Sequence, residues 1–441
     1  SGFERLVKQQ YVPNPRCRLH LFIARYQPSG FRFGQNAASK PLPDVAMTLS
    51  RGTSLLLNLG HALDHMFLLI FATAVASVAA DFGFVRWEDL MPYSAGAFLM
   101  FGLGSVPAGR LGDLWGRRSM MLIFFFGMGA AALLCALVQN AWQMAIALAL
   151  LGLFSAIYHP VGIPMLLQHA RKPGLTIGVN GLAGNMGIAL AAIVTGFTVK
   201  YLGWRAAFIF PGLLSMVCGY LFLRLAPPET ESPARRTSRA TVGLAPAQMA
   251  RLLSVMTFAA ISSSLLFNFT TNGNGQLMRE RFVGIVDDPA QLGMLLAAVY
   301  AIASFSQLIV GRLIDRFALK RLYLAIVLLQ IPMFLLAAHA QGWTLFWLQI
   351  GFMVTIFGAI PFTDAMVVRY VDDAYRSRVS GMRLAVSFGV ASVAVYSLGP
   401  TVKAAGFDNL LLAMAAIACC SLVFVSLLPG DPVPVAPPAP A

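Results

Sequence analysis

Twelve stretches of this sequence stay apolar over about the 17 to 25 residues that a helix needs to cross a bilayer. They fall near residues 53–80, 90–108, 119–138, 142–166, 175–199, 206–226, 253–277, 292–310, 322–340, 344–366, 379–401 and 409–428. In hydrocarbon a backbone must satisfy its own polar groups, which long apolar segments do as helices. The expected fold class is therefore an all-α membrane protein with twelve transmembrane helices. Composition agrees: 58% of residues are hydrophobic and 11% charged, against roughly 25% charged in an ordinary soluble domain.

A formal charge of +14 invites a nucleic-acid partner, but its placement points elsewhere. With both termini cytoplasmic, 26 of the 32 Lys and Arg fall in inner segments, leaving Arg86, Lys200, Arg205, Arg279, Arg281 and Lys403 outside. That asymmetry sets orientation. It predicts a multi-pass protein of an inner or plasma membrane, in contact with lipid and with no nucleic-acid partner. Five cysteines at 17, 135, 218, 419 and 420 show no metal spacing, and four lie in apolar spans, where they read as small core residues.

The chain divides by composition. Residues 1–50 are a basic, turn-rich extension whose first Met is Met47, without the apolar core of a secretory signal. They are expected to be a disordered cytoplasmic arm or an upstream extension. Residues 51–226 hold six spans, 227–251 form a cytoplasmic linker (APPETESPARRTSRA within it), 252–428 hold six more, and 429–441 are a Pro-rich tail. The two halves echo each other. GRLGDLWGRR at 109–118 returns as GRLIDRFALKR at 311–321, and an offset of 202 relates Gly109 to Gly311, Asp113 to Asp315 and Gly187 to Gly389. Two pseudo-symmetric six-helix bundles are the expected architecture.

Between two membrane helices, GRLGDLWGRR combines a glycine reversal, an acid able to face a helix N-terminus, and basic residues that anchor a cytoplasmic loop. These residues resemble the signature of the major facilitator superfamily: Gly, three residues, Asp, a basic residue, any residue, Gly, Arg, and Arg or Lys. Gly109, Asp113, Gly116, Arg117 and Arg118 match, with Leu114 in the first basic position. In the second copy Gly311, Asp315, Arg316 and Lys320 match, while Ala318 and Leu319 depart. The resemblance covers residues 50 to 428. It implies that this loop gates access, its Asp facing the start of span eleven in one access state, and that spans one, four, seven and ten line a central cavity.

Span four lacks the Arg that many proton-coupled drug exporters of the family carry, and has YHPVG instead, followed by GLAGNMG in span five. With the His and Asp pattern of span one, this is similar to the fosmidomycin-resistance branch, although Val161 stands where an acid is expected and the Gly-Pro pair of the antiporter motif is missing.

Span one reads NLGHALDHMFLLIF. Charge at the centre of a membrane costs about 2.5 to 3.5 kcal/mol even on lenient scales, so ionisable groups there default to function. Asp64 lies 11 residues beyond Thr53, about 16 Å into a core of roughly 30 Å. Spacings of three and four put His61, Asp64 and His65 on one face, extended by Asn58. His159, Asn180, Asn185, Asn268, Asn272, Asn274, Thr363 and Asp364 are further polar residues within spans. A proton path through Asp64 with His61 or His65 stands beside a packing ion pair. His159, before Pro160, is a substrate contact or a partner for a carbonyl freed by the proline. Asn180 and Asn185 line the path or bond neighbouring helices. Asp364 is expected to pair with a surface Arg near Arg369, and TTNGNG at 270–275 to break span seven open toward the cavity.

HALDH lacks the Glu of a zinc protease motif and a third ligand beside it. No metal, cofactor or enzymatic activity is therefore expected. The expected function is secondary active transport of a small organic solute by alternating access, as proton-coupled efflux by a monomer. Uptake of a small organic anion or metabolite, and a non-transporting receptor or scaffold, are the alternatives.

Overall fold

The computed structural model describes residues 50–428 apart from 169, 171–172, 229–245, 315 and 371–372, and the side chains of 173–174, 246–249, 368–370 and 373–381 lie outside that description. Residues 1–49 of the 1–50 arm, most of the 227–251 linker, the 429–441 tail and Asp315 thus fall outside the described residues. The described residues belong to one compact unit.

Every described element is helical: α1 (Arg51–Asp81), α2 (Trp87–Leu90), α3 (Ala95–Trp115), α4 (Arg117–Leu137), α5 (Ala141–Ser155), α6 (Ile163–Leu167), α7 (Pro173–Tyr201), α8 (Ala206–Leu225), α9 (Pro246–Arg281), α10 (Pro289–Ile314), α11 (Leu319–Ala337), α12 (Gly342–Tyr370) and α13 (Asp373–Ser426). Ten helical stretches among the described residues are long and apolar enough to span a membrane. The expectation of twelve differs for two physical reasons. Helix α3 carries Arg110 and Asp113 in its last turns and so falls below the apolar threshold. Helix α13 is one continuous run in which Gly406, at φ 76° and ψ 169°, joins two helical segments, the expected spans eleven and twelve. That backbone region is open to glycine and costly for other residues.

Local chemistry fixes the helix ends. Ser50 caps α1 by accepting from the Thr53 N–H at 3.1 Å, and Asn140 caps α5 through Gln143 N–H at 3.0 Å. Arg118 donates to the Ala226 carbonyl at 2.9 Å, beyond the end of α8. Lys320 donates to the Leu428 carbonyl at 2.9 Å, beyond the end of α13. Donor and acceptor are each displaced by the same 202 residues, so the sequence echo is also an echo of a bond. Cations placed there satisfy carbonyls that a helix terminus leaves orphaned.

The glycine echo does not behave alike. A Cβ on Gly187 would sit 2.0 Å from the Ala62 carbonyl oxygen, so glycine is what lets α7 lie against α1, whereas nothing lies within 4 Å of one on Gly389. Helices α7 and α10 pack together, as do α3 and α13, which joins residues 51–226 to residues 252–428. Cys135 and Cys218 are buried as expected, but Cys419 and Cys420 are exposed, because their helix turns that face outward from the bundle.

Candidate functional site

Between the helices lies a cavity of about 1750 Å³. It reaches Gly109, Asp113 and Arg117 on one side and Gly311, Arg312, Asp364 and Arg383 on the other, and so opens at the end carrying the 109–118 and 311–321 loops. The opposite end is shut. There Lys403 meets Asp89 at 2.5 Å and Lys200 meets Asp288 at 2.5 Å, each pair crossing between the halves. A Cβ on Gly399 would lie 2.2 Å from the Glu88 carbonyl oxygen, and Trp87 stacks on Phe407. Arg86 with Glu88, Arg205 with Asp81 and Arg281 with Asp408 are further ion pairs of this end. Lining residues come from α1, α3, the start of α4, α6, α7, α9, α10, α11, α12 and α13 as well as from His159 and Pro160 between α5 and α6, more widely than spans one, four, seven and ten.

The inner wall is built around Tyr158, a residue that sequence reasoning did not single out. Pro160 has no N–H to give, and the chain adopts a π-helical turn over Tyr158–Gly162, a device that often marks functional positions. The turn buries the Tyr158 ring, whose hydroxyl donates to the Leu57 carbonyl at 2.8 Å and accepts from Asn180 Nδ2 at 2.7 Å. Asn180 Nδ2 also donates to Asn58 Oδ1 at 3.0 Å. His61 stacks on Tyr158 with ring centroids 4.7 Å apart, in space left by Gly184, where a Cβ would come within 2.6 Å of the imidazole. Gly184 was the available signal, inside the glycine-rich GLAGNMG.

His61 Nδ1 lies 2.7 Å from the Asn180 carbonyl oxygen. A carbonyl only accepts, so Nδ1 carries the proton and, in the neutral ring, Nε2 holds the lone pair. His65 Nε2 lies 3.1 Å from that nitrogen and donates to it. His159, on the π turn, packs edge-on against His61 at 5.1 Å and near His65 at 5.8 Å. One ring nitrogen of each of the three lies within 4.8 Å of the others. The third imidazole that HALDH lacks in sequence is thus supplied across the bundle. His159 Nε2 bonds no carbonyl and faces Asp64 Oδ2 at 3.7 Å.

Asp64 itself is fully buried, and neither carboxylate oxygen has a hydrogen-bond partner among the described residues. The Ser155 hydroxyl on α5 is turned to Met128 Sδ at 3.0 Å. His61, His65, His159, Asn180, Asn185 and Asn268 line the cavity, with Asp64 behind them. Asn185 Nδ2 is buried and unpartnered among the described residues.

The second half differs from expectation. Helix α9 runs unbroken through TTNGNG. Thr270 and Thr271 bond the Leu266 and Phe267 carbonyls, Asn268 the Ser264 carbonyl and Asn272 the Asn268 carbonyl, so these polar groups are satisfied within an unbroken helix, while Asn274 Nδ2 is buried and unpartnered among the described residues. Asn272 accordingly stands outside the cavity wall. Asp364 pairs with Arg383 on α13, which also donates to Thr363 Oγ1 at 2.7 Å; the side chain of Arg369, the partner expected for it, lies outside the described residues.

The residues of the 109–118 loop form a scaffold. Gly116, at φ 89°, makes the reversal between α3 and α4. Arg117 donates to the Pro164 carbonyl at 3.2 Å and Gln168 Oε1 at 3.1 Å, tying the loop to the segment after the π turn. Gly109 packs on Pro160, whose Cβ would lie 3.3 Å from a Cβ added there, a tight contact, whereas Gly311 has open space. Arg316 is exposed. The expected contact of Asp113 with the start of span eleven falls on side chains outside the described residues.

A helical membrane bundle divided around a central cavity with a few polar groups in its wall is the build of a solute carrier. The family model of the Major Facilitator Superfamily matches residues 57–282 and 284–441; the chain belongs to this superfamily, whose members are transporters and not enzymes. A bacterial homologue of the human lysosomal transporter Spinster, in an inward-facing and occupied conformation, shares the fold with a TM-score of 0.64 at 14% identity, over 85% of this chain and 93% of that one. Among curated relatives, a probable actinorhodin transporter of Streptomyces coelicolor is 28% identical over 45% of this chain and 34% of its own length. A gallate transporter of Pseudomonas putida is 25% identical over 37% of each. These two matches span about a third of the relatives' length. The multidrug resistance protein MdtG of Enterobacter lignolyticus matches more broadly, at 22% identity over 75% of this chain and 80% of that protein.

Proposed function

We propose that this protein is a proton-coupled secondary transporter that expels a small organic solute by alternating access. In this reading it acts as a monomer in an inner or plasma membrane, with both termini cytoplasmic, and the structure is its cytoplasm-open form. The carrying observation is Asp64: a fully buried carboxyl without a hydrogen-bond partner among the described residues, one step behind a cavity wall of three imidazoles. Ionised, such a group is costly; a group whose surroundings change its cost of ionisation as the cavity changes sides is suited to carry the coupling proton.

The path runs from cavity water to His65, through the His65 to His61 hydrogen bond, and across His159 to Asp64. The 3.7 Å between His159 Nε2 and Asp64 Oδ2 closes through a small rotation or one bridging water. The cavity exceeds the roughly 300 to 1,000 Å³ of common small-molecule sites, in keeping with a drug-sized solute. The names of relatives that confer multidrug resistance, or transport actinorhodin, support an outward direction.

Uptake of an organic anion is the second reading, favoured by Arg383 in the cavity wall and by the gallate transporter among the relatives. The deciding experiment profiles intracellular levels of a mixed drug and metabolite panel in cells expressing the protein or Asp64→Asn at matched abundance. Depletion of a compound only with the intact protein is the expected result. Accumulation would select uptake, and an equal shift with both proteins would remove Asp64 from coupling.

A further inference from the structure

We propose that His61, His65 and His159 form a binding site for a divalent transition-metal ion of the zinc type, opening into the cavity. Helix α1 offers two imidazoles one turn apart on one face, and the π turn of 158–162 brings the third to within 4.8 Å of both. Zinc held tetrahedrally at about 2.0 to 2.1 Å from each nitrogen needs nitrogens roughly 3.3 Å apart. His61 and His65 already stand at 3.1 Å. Rotation of the His159 ring, which has its Nε2 unpartnered among the described residues, completes the set.

The surroundings are those of a ligand set. His61 donates Nδ1–H to the Asn180 carbonyl, the backing that fixes a metal-bound imidazole and leaves its Nε2 lone pair forward. Asp64, with both oxygens unpartnered among the described residues and 3.7 Å from His159, supplies a neighbouring carboxyl whose ionisation a bound cation would favour. Imidazole donors suit Zn²⁺, Co²⁺, Ni²⁺ and Cu²⁺ and disfavour Mg²⁺ and Ca²⁺. Three protein ligands leave the fourth position to water or a cavity solute.

The test uses the full chain, purified in detergent on a tag without histidine, stripped by a chelator, equilibrated with ZnSO₄ and desalted before metal analysis. The expected result is about one retained zinc per chain in the unaltered protein, in His339→Ala and in His65→Cys, which keeps a ligand. His65→Ala and His159→Ala, eluting as the unaltered protein does on size exclusion, retain less than a tenth as much. Co²⁺ in place of zinc gives the visible absorption of a four-coordinate ion. The proposal is overturned if the unaltered protein retains no zinc, if both alanine variants retain as much as it does, or if the cobalt spectrum is that of a six-coordinate ion. The readout is bound metal, so it can fail while proton-coupled transport stands.

Discussion

Lys403 Nζ lies 2.5 Å from Asp89 Oδ1, a bond between the two halves of the chain across the closed end of the cavity. Lys200 and Asp288 make a second at the same distance. Alternating access requires both to part when the cavity opens on that side. Replacing Lys200 and Lys403 together by Ala should raise the population open at that end by about two- to fivefold, the modest effect of exposed pairs. Distance distributions between spin labels placed across that end would check it.

The pH response of this latch has a definite sign. The Lys200 ammonium, by its hydrogen bond, holds the Asp288 carboxyl below its ordinary value. A depressed folded-state value means that the stabilisation is fully present above the unfolded carboxylate range, near 3.9, and is lost as pH falls through the lower folded value. The same spin-label distances should therefore be unchanged by the Asp288 contact between about pH 5 and 8. Any opening in that interval should persist in Asp288→Asn and vanish in Asp64→Asn.

Reconstituted into vesicles with an imposed pH gradient, Asp64→Asn should lose gradient-driven transport by at least about tenfold, as expected of an intramembrane coupling group. Exchange of solute against solute, which needs no net proton movement, should survive. Retention of full gradient dependence would exclude Asp64 from the path.

Tyr158→Phe removes the donor to Leu57 and the acceptor for Asn180 from a buried position. The loss should be about 1 to 3 kcal/mol of stability, read as a lower thermal midpoint in detergent. The His61 ring, stacked on Tyr158, should stay in place, so transport per folded molecule should change far less than in Asp64→Asn.

Gly187 and Gly389 occupy echoed positions with opposite expectations. Gly187→Ala drives a methyl into the Ala62 carbonyl and should destabilise by about 1 to 3 kcal/mol. Gly389→Ala meets nothing within 4 Å and gains helix propensity of roughly 0.5 to 1 kcal/mol. Thermal midpoints of the two variants should move in opposite directions.

Much of this fold was legible because apolar length and loop charge are local properties. The span limits and the clustering of His61, Asp64 and His65 follow from spacing along one helix. What depends on the meeting of distant elements was not. Tyr158 looks like any aromatic in an apolar run until Leu57 and Asn180 arrive at its hydroxyl. TTNGNG misleads because Thr and Asn have a second option, bonding their own helix, that composition does not distinguish from unwinding. Asp364 meets Arg383 across a helix pair, a contact that sequence proximity does not reveal. Helix α3 illustrates the reverse case: Arg110 and Asp113 lower its apolarity without preventing a helix.

The bond from Arg118 to Ala226 and its counterpart from Lys320 to Leu428 establish a register between the halves. Carried along that register, His61, Asp64, His65 and His159 correspond to Ser263, Leu266, Phe267 and Pro361. Only one copy of the doubled body retains ionisable groups at these four places. The two copies have thus parted ways in chemistry while keeping their mechanical joints. The second half sets its own cavity-wall charges elsewhere, with Asp364 and Arg383 balanced against each other as a pair.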